Sequence, residues 1–330
     1  MPESYFLFSS GELRRKDNVV RLTAEDGRFK DLKIETTRDI YLFGEVNTNT
    51  KCLNYLSEKK IPVHLFNYYG YYTGTFYPRE QHVSGNLLIQ QVTYYSEKQK
   101  RLLIAQKIIE AACHNILRNL RYYQQRGKDL ESSISEIRHL ERQICKTEAI
   151  DELMGIEGNI RKIYYSSWPI IINQKIEFKK RVKRPPDNMI NALISYANTF
   201  MYTVCLSELY VTQLNPTISY LHSASERRFS LSLDIAEVFK PLLVDRLIFS
   251  LLNKNMITEK DFDKESNFCY MKPAGQQKFL KAFHDRLEET IKHRSLGRNV
   301  SYRRLIRLEG YKVIKHLMNE KEYEGFKIWW

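Results

Sequence analysis

The feature that most constrains this chain is a change in its hydrophobic period near residue 78. Before it, short alternating or β-branched runs recur at Tyr5–Phe8, Val19–Leu22, Leu32–Ile34 and Ile40–Val46. Polar turns holding Gly11, Asp17-Asn18 and Asp26-Gly27 separate them. A period of two sends alternate side chains to opposite faces of a sheet, so this stretch reads as β. Thr48–Lys60 reads as one short helix with Leu53 and Leu56 on its apolar face. Ile61–Phe66 is then a buried strand, and Asn67–Gly70 turns into a strand over Tyr71–Tyr77. After the polar stretch 79–85, Leu88, Val92, Tyr95, Leu102, Ile109, Cys113, Ile116 and Leu120 recur at spacings that line one face of a helix. Capped by Ser84 and stopped by Gly127, that helix would be about 60 Å long. Further helical patterns cover Leu130–Thr147, Asp151–Ser166, Asn188–Leu209, Leu233–Asn253, Gly275–His293 and Tyr302–Asn319. The expected fold class is α+β. A small β-rich, sandwich-like domain spans 1–78, a linker 79–85, and a larger all-α domain 86–330.

The charge balance narrows the partners. Lys plus Arg number 52 against 39 Asp plus Glu, a net charge of +13. Nucleic acid or an acidic membrane surface suits such a chain. No apolar stretch stands out at the ~20 residues of a membrane span, and the N-terminal residues lack the pattern of a secretory signal. The five cysteines form no C-x-x-C pair, so neither a zinc ribbon nor a disulfide scaffold is expected, and a reducing cytoplasm fits. No G-x-x-x-x-G-K-[ST] is present, so no nucleotide cofactor or NTP-driven step is expected.

Three distant residues are the candidates for chemistry: Glu157 in G-I-E-G-N-I-R-K-I-Y-Y, His222 in N-P-T-I-S-Y-L-H, and Glu237 in S-L-S-L-D-I-A-E-V-F-K-P. Two carboxylates and an imidazole can hold a divalent metal and leave positions open for water and a phosphate oxygen. Each also has a plainer reading. Glu157 and Arg161 are four apart and can form an ordinary surface ion pair. A lone histidine can be a satisfied, partly buried residue. Asp234 and Glu237 share a helical face that can simply be solvated, with Lys240 at another angle, although the surrounding residues are mostly apolar. Two basic runs complete the set. One holds Lys179, Lys180, Arg181, Lys183 and Arg184; the other includes Arg298, Arg303 and Arg304, with Glu309 as its sole acid. Such runs are often solvated faces, but around a metal-competent site they suit the tracking of phosphates.

In order, these segments resemble the CRISPR-associated spacer-acquisition integrases, the Cas-one family. The resemblance runs over nearly the whole chain. It adds R-P-P-D-N-M-I-N-A-L-I-S-Y-A-N (184–198), G-R-N-V-S-Y-R-R-L-I-R-L-E-G-Y-K-V-I-K-H-L (297–317) and the closing F-K-I-W-W. It implies a β-rich dimerisation domain and a helical catalytic domain, with Glu157, His222 and Glu237 as ligands of one Mn2+ or Mg2+. Asp234 matches a nearby acidic position, with metal binding, water positioning and orientation of a basic side chain all open. Arg161, Lys162 and Tyr165 are expected to contact phosphate. Asn191 is expected to pack beneath the site, so that its removal spares DNA binding. The implied partners are double-stranded DNA (a spacer precursor and the leader-repeat of a CRISPR array), a second copy of the chain, and the small Cas-two protein bridging two dimers. Tyr68–Tyr77 is a candidate dimer surface; the alternative is a plain sandwich edge. The implied reaction joins the 3′-OH ends of short DNA into the array. The alternatives are a metal nuclease of branched DNA without integration, and a non-catalytic DNA-binding scaffold.

Overall fold

The computed structural model describes residues 3–79, 82–176, 178–183, 185–224, 229–265 and 268–330. They divide into two compact units, 1–81 and 82–330.

The first unit runs β1 (Glu3–Leu7), β2 (Gly11–Lys16), β3 (Val19–Ala24), β4 (Phe29–Lys33), β5 (Thr37–Leu42), β6 (Val46–Thr48), α1 (Thr50–Glu58), β7 (Val63–Phe66) and β8 (Tyr72–Phe76). The strands form two four-stranded sheets, ordered β1-β5-β7-β8 and β4-β3-β2-β6. Alternation decides which way each strand faces. On β3, Val20 and Leu22 turn inward, while Arg21 between them pairs across the outer face with Asp31 of β4 at 2.6 Å. Leu7, Ile40 and Val63 of one sheet and Leu13, Val20 and Leu22 of the other meet Cys52, Tyr55 and Leu56 of α1 in a single core. This is the sandwich the sequence suggests, with two changes. The apolar face of α1 centres on Cys52, Tyr55 and Leu56, leaving Leu53 half-buried. The run Ile40–Val46 is also not one strand. It crosses from one sheet to the other at Gly44, where a Cβ would lie 2.6 Å from the Ser9 carbonyl oxygen, so only glycine fits.

The second unit runs α2 (Gly85–Ser96), α3 (Lys98–Gln124), α4 (Glu131–Ile144), α5 (Ile150–Ser166), α6 (Trp168–Ile171), α7 (Met189–Tyr210), α8 (Ser230–Phe239), a π-helical turn (Lys240–Asp245) and α9 (Arg246–Asn253). Then come the hairpin of β9 (Phe262–Glu265) and β10 (Phe268–Met271), α10 (Pro273–Glu288), the hairpin of β11 (Thr290–Lys292) and β12 (Asn299–Ser301), and α11 (Tyr302–Leu317). The unit is helical as expected, apart from the two hairpins, the first of which interrupts no helical pattern. The second shortens the pattern over Gly275–His293, which ends as helix at Glu288.

Two expected helices are broken. The long one divides at Glu97, whose backbone is extended (φ −83°, ψ 105°), leaving α3 about 40 Å long. No Gly or Pro marks the break; its cause is tertiary. Gln91 of α2 exchanges hydrogen bonds with the backbone of Asn215 at 2.8 and 3.2 Å, while Arg101 of α3 donates to the Tyr220 carbonyl at 2.8 Å. These anchors fix two helix directions and grip the loop that carries His222. The second break is the π turn inside Leu233–Asn253. Pro241 has no N–H to donate there, and α3 compensates: Asn115 donates to the Val238 carbonyl at 2.9 Å and Asn119 to the Pro241 carbonyl at 2.7 Å.

Helix α7, 22 residues long and apolar enough by length and composition to cross a membrane, is mostly buried inside the unit as its central helix. Residues 323–328 then lie across α3 and α8. Phe326 stacks on Phe239 with ring centres 5.3 Å apart, and the Ile328 N–H donates to Asn115 Oδ1 at 2.8 Å. Glu309 of α11 receives the Tyr323 hydroxyl at 2.8 Å and the Phe326 N–H at 2.9 Å.

Candidate functional site

Helix α5 supplies Glu157 and Arg161, one turn apart; α8 supplies Asp234 and Glu237; the π turn supplies Lys240 and Asp245; the loop before α8 supplies His222. Glu237 is 6% exposed and Asp234 fully buried, so the acidic face of α8 is not a solvated one. Burying charge requires partners, and among the described residues Glu237 has two. Lys240, three residues on, hydrogen-bonds Oε1, and Arg161 reaches Oε2 at 2.6 Å. Burial would raise the Glu237 pKa; Lys240 first, then Arg161 and His222, reverse this and hold the carboxyl well below the usual range. Arg161 also reaches Glu157 Oε1 at 3.2 Å. The expected Glu157–Arg161 pair is therefore present, half-buried, and shared with an acid 76 positions away.

His222 is oriented by Asp234. Oδ2 accepts the N–H groups of Tyr220 and Leu221 at 2.6 and 3.0 Å; Oδ1 accepts the His222 N–H at 3.1 Å and its imidazole Nδ1–H at 2.7 Å. A carboxylate only accepts, so Nδ1 carries a proton and, in the neutral ring, Nε2 keeps the free lone pair. Of the roles open for Asp234, the contacts point to orientation of a basic side chain. Burial pushes His222 down, but the Asp234 hydrogen bond and charge, with Glu237, more than offset this and raise its pKa.

Among the described residues, no three His, Cys, Asp or Glu side chains stand close enough together to hold an ion. Glu157 and Glu237 are instead joined through the Arg161 guanidinium, and His222 lies within electrostatic reach of Glu237. The donor chemistry still fits a divalent cation. It offers two carboxylates linked through Arg161 and, within electrostatic reach, an imidazole fixed by an acid, with Lys240 and Arg161 already supplying positive charge at Glu237.

Several expectations change. Arg161 clamps carboxylates rather than standing ready for phosphate. Lys240, placed by sequence at another angle of α8, is 7% exposed and bound to Glu237; the three-residue spacing was its signal. Asp245 had no signal, because only the π turn brings it near Arg161, at 3.9 Å. Burial pushes its carboxyl up to about 7, with Arg161 and Lys240 opposing. Tyr165 packs on Tyr164 and Trp168, and burial raises its hydroxyl to about 12. Lys162 is exposed and lines a groove between α4 and α5 with His139 and Asn159. Asn191 is spent on the basic loop. It donates to the Lys180 carbonyl at 3.1 Å and Asp187 at 2.7 Å, and accepts from the Val182 N–H at 3.1 Å and Arg181 at 3.0 Å.

The basic residues separate by burial. Lys179, Lys180, Lys183 and Arg298 are exposed. Partial desolvation, then Lys240 and Arg181, lower the Lys183 pKa. Arg181 is tied to Asn191 and to Ser195 at 2.7 Å, and Arg304 is half-buried. Arg184 lies outside the described residues. Arg303 is the clear correction. It is 2% exposed and bonded to Glu208 of α7 at 2.8 Å, with Arg307 on the other oxygen at 2.7 Å. Its charge serves the fold, out of reach of a DNA backbone.

The family model for the CRISPR associated protein Cas1 matches residues 5–285. A CRISPR-associated endonuclease Cas1 from Fusobacterium nucleatum is 55% identical over 330 residues, covering 100% of this chain and 98% of that protein. One from Moorella thermoacetica is 50% identical over 99% of both. A solved Cas1 structure from Thermotoga maritima has a TM-score of 0.87 at 41% identity, covering 98% of this chain and 100% of that one. A casposase bound to integration product shares the fold at a TM-score of 0.85 and 19% identity, over 98% of this chain and 93% of its own. Acids buried on α8 and linked through Arg161 to a half-buried acid on α5, a histidine set by a neighbouring carboxylate and these matches agree, and the chain belongs to the Cas1 family.

Proposed function

We propose that this chain is a metal-dependent DNA endonuclease and integrase of CRISPR adaptation, which joins the 3′-OH ends of short DNA fragments into a CRISPR array by transesterification. The observation that carries the reading is the Glu157–Arg161–Glu237 bridge beside a histidine locked by Asp234. Its relatives' names support the activity: the Fusobacterium protein is a CRISPR-associated endonuclease, and a casposase of the same fold holds an integration product.

Glu157, His222 and Glu237 would hold one Mn2+ or Mg2+, which supplies Lewis acidity for the scissile phosphate when bound. The chain's own residues do the rest. Asp234 fixes the imidazole tautomer, so that Nε2 carries the free electron pair. Lys240 keeps Glu237 ionised within a buried setting. Lys179, Lys180 and Lys183, on a loop shaped by Asn191, draw the phosphodiester backbone towards the acids. In the reaction the 3′-oxygen bonds to phosphorus as the bond to the departing 3′-oxygen breaks; the proton of the attacking hydroxyl passes to solvent, and the departing oxygen takes one up from solvent to leave a free 3′-OH. One phosphodiester replaces another, so neither ATP nor a protein nucleophile is required. Water in place of the 3′-OH gives cleavage.

Joining both ends of a fragment needs two sites at a fixed distance, which a symmetric dimer supplies. A small Cas2 protein bridging two dimers fits the reading, as solved complexes of Cas6-RT-Cas1 with Cas2 share this fold. The test mixes the protein, with and without that partner, with a short duplex bearing free 3′-OH ends and a supercoiled plasmid carrying a leader and repeat. Covalent joining should need Mn2+, fail in EDTA and fail in His222→Ala. Cleavage without joining would replace integration by nuclease action alone, and joining by His222→Ala would overturn the ligand assignment.

A further inference from the structure

Arg161 uses two arms of its guanidinium fork and leaves one waiting. Nε is on Glu157 at 3.2 Å and Nη2 on Glu237 at 2.6 Å. Nη1 stops 3.9 Å from Asp245 Oδ2. Both atoms are buried and, among the described residues, neither has a hydrogen-bond partner. Unpaired buried polar atoms are unfavourable and rare. Here a donor and an acceptor of opposite charge are left unpaired within one small movement of each other.

Asp245 is brought there by the π turn. On a continuous α-helix, residues five apart such as Lys240 and Asp245 would point about 140° apart. The wider turn over Lys240–Asp245 puts both beside the acid bridge, Lys240 on Glu237 and Asp245 under Arg161. Such turns concentrate at functional sites. Asn119 braces this one, donating to the Pro241 carbonyl at 2.7 Å and to the Tyr164 hydroxyl at 3.1 Å.

We propose that Asp245 is a positioning residue that receives Arg161 when a divalent cation takes the Glu157–Glu237 pair. The inference rests on the metal reading given above. Without metal, both Glu237 oxygens are covered, one by Lys240 and one by Arg161. A divalent cation and a guanidinium repel each other across a shared carboxylate, and arginine cannot shed its charge. The guanidinium therefore has to move, and Asp245 Oδ2 is a buried acceptor within a shift of about 1 Å from hydrogen-bond distance. Asp245 then neutralises a displaced cation that would otherwise face the ion in a desolvated site. It sets how tightly the ion binds without touching it.

The test uses Mn2+ alone, without DNA, on the full chain. Binding is followed by electron paramagnetic resonance and calorimetry for wild type, Asp245→Asn, Arg161→Met and the double variant. Asp245→Asn should weaken Mn2+ binding roughly tenfold, as for residues behind metal ligands, with metal-free melting at or above the wild-type temperature because a buried charge is gone. In the Arg161→Met background the same change should have no effect on affinity. Wild-type affinity in Asp245→Asn overturns the proposal, and so does an equal loss in both backgrounds, which would make Asp245 a general structural or electrostatic group. If Asp245→Asn does not fold, a Mn2+-bound structure of the wild type decides. Nη1 and Oδ2 should close to about 2.9 Å as Nη2 leaves Glu237, and an unchanged separation overturns the proposal. Failure of the wild type to bind Mn2+ sinks the metal reading and this inference together. Binding lost in His222→Ala but untouched by Asp245→Asn sinks this inference alone.

Discussion

Replacing Asp234 by Asn keeps the side chain's shape and tests what its carboxylate does. Each oxygen accepts two N–H groups: Tyr220 and Leu221 on Oδ2, the His222 backbone and imidazole on Oδ1. An amide keeps one oxygen and presents an NH2 to the other two donors. Turned with its NH2 toward Tyr220 and Leu221, it loses both of those bonds; turned toward His222, it loses the backbone bond and keeps the ring only by moving the imidazole proton to Nε2, in a site with no solvent exposure. At about 1–3 kcal/mol for each buried unsatisfied donor, one or two lost bonds cost about 1–6 kcal/mol, a large share of the ~5–15 kcal/mol that holds a domain. The imidazole also loses the charge that raises its pKa, while the downward push of burial stays, so it should titrate at lower pH. In wild type, a raised folded pKa means stability that is fully present below the ordinary histidine value and lost as pH climbs through the folded one. The asparagine variant should lack that decline. Urea unfolding and an NMR titration of the His222 ring in metal-free protein measure both effects. A wild-type urea midpoint together with an unmoved imidazole pKa would mean that Asp234 does not hold the loop, and that its role lies elsewhere.

The basic residues give a paired prediction. Arg303→Met should destabilise the protein by about 3–5 kcal/mol, the usual cost of breaking a buried pair, and leave the DNA affinity of the folded fraction unchanged. Arg298→Ala should leave unfolding midpoints alone, weaken DNA binding and reduce the salt slope by about one. Asn191→Ala should release its contacts with Lys180, Arg181, Val182 and Asp187 and lower DNA affinity, measurable by fluorescence anisotropy, where the sequence alone suggested that binding would be spared. Because Asp245 is held near 7 in the fold and near 4 when unfolded, the native state binds the extra proton between those values. Metal-free stability should then fall as pH rises from about 4 to 7, by up to about 4 kcal/mol. Asp245→Asn should flatten that slope in urea melts at several pH values.

The two-part fold was legible because burial imposes its period on sequence. Val20 and Leu22 flank the outward Arg21, and the apolar residues of α3 recur every three or four positions. What sequence hid depends on contacts between distant residues. Glu97 carries no breaking signal, and α2 and α3 separate because Gln91 and Arg101 anchor to different parts of one loop. Glu157 and Glu237 were visible as acids in apolar or glycine-flanked contexts, but their shared Arg161 was not, since nothing local links residues 76 apart. Arg303 was misread for the same reason: its counterion, Glu208, lies 95 positions upstream on another helix. Lys240 could have been found from its spacing to Glu237. Asp245 could not, because helical geometry puts it on the wrong face until a π turn intervenes.

The segment 323–328 has a consequence for how the protein is made. Asn115 on α3 is satisfied in part by Ile328, 213 positions later. At about 5–20 residues per second, a ribosome takes roughly 10–40 s to deliver that partner after α3 emerges. Throughout this interval the apolar flank of α3 lacks this cover, and from the time α8 is made Phe239 has no Phe326 to stack on. The helix bearing Glu237 is thus among the last parts to be consolidated, and a nascent chain presents a sticky, incomplete nuclease rather than a working one. A chaperone that shields apolar helices should have its longest engagement here, and synthesis stalled before residue 323 should yield a protein that is degraded instead of one that cuts DNA.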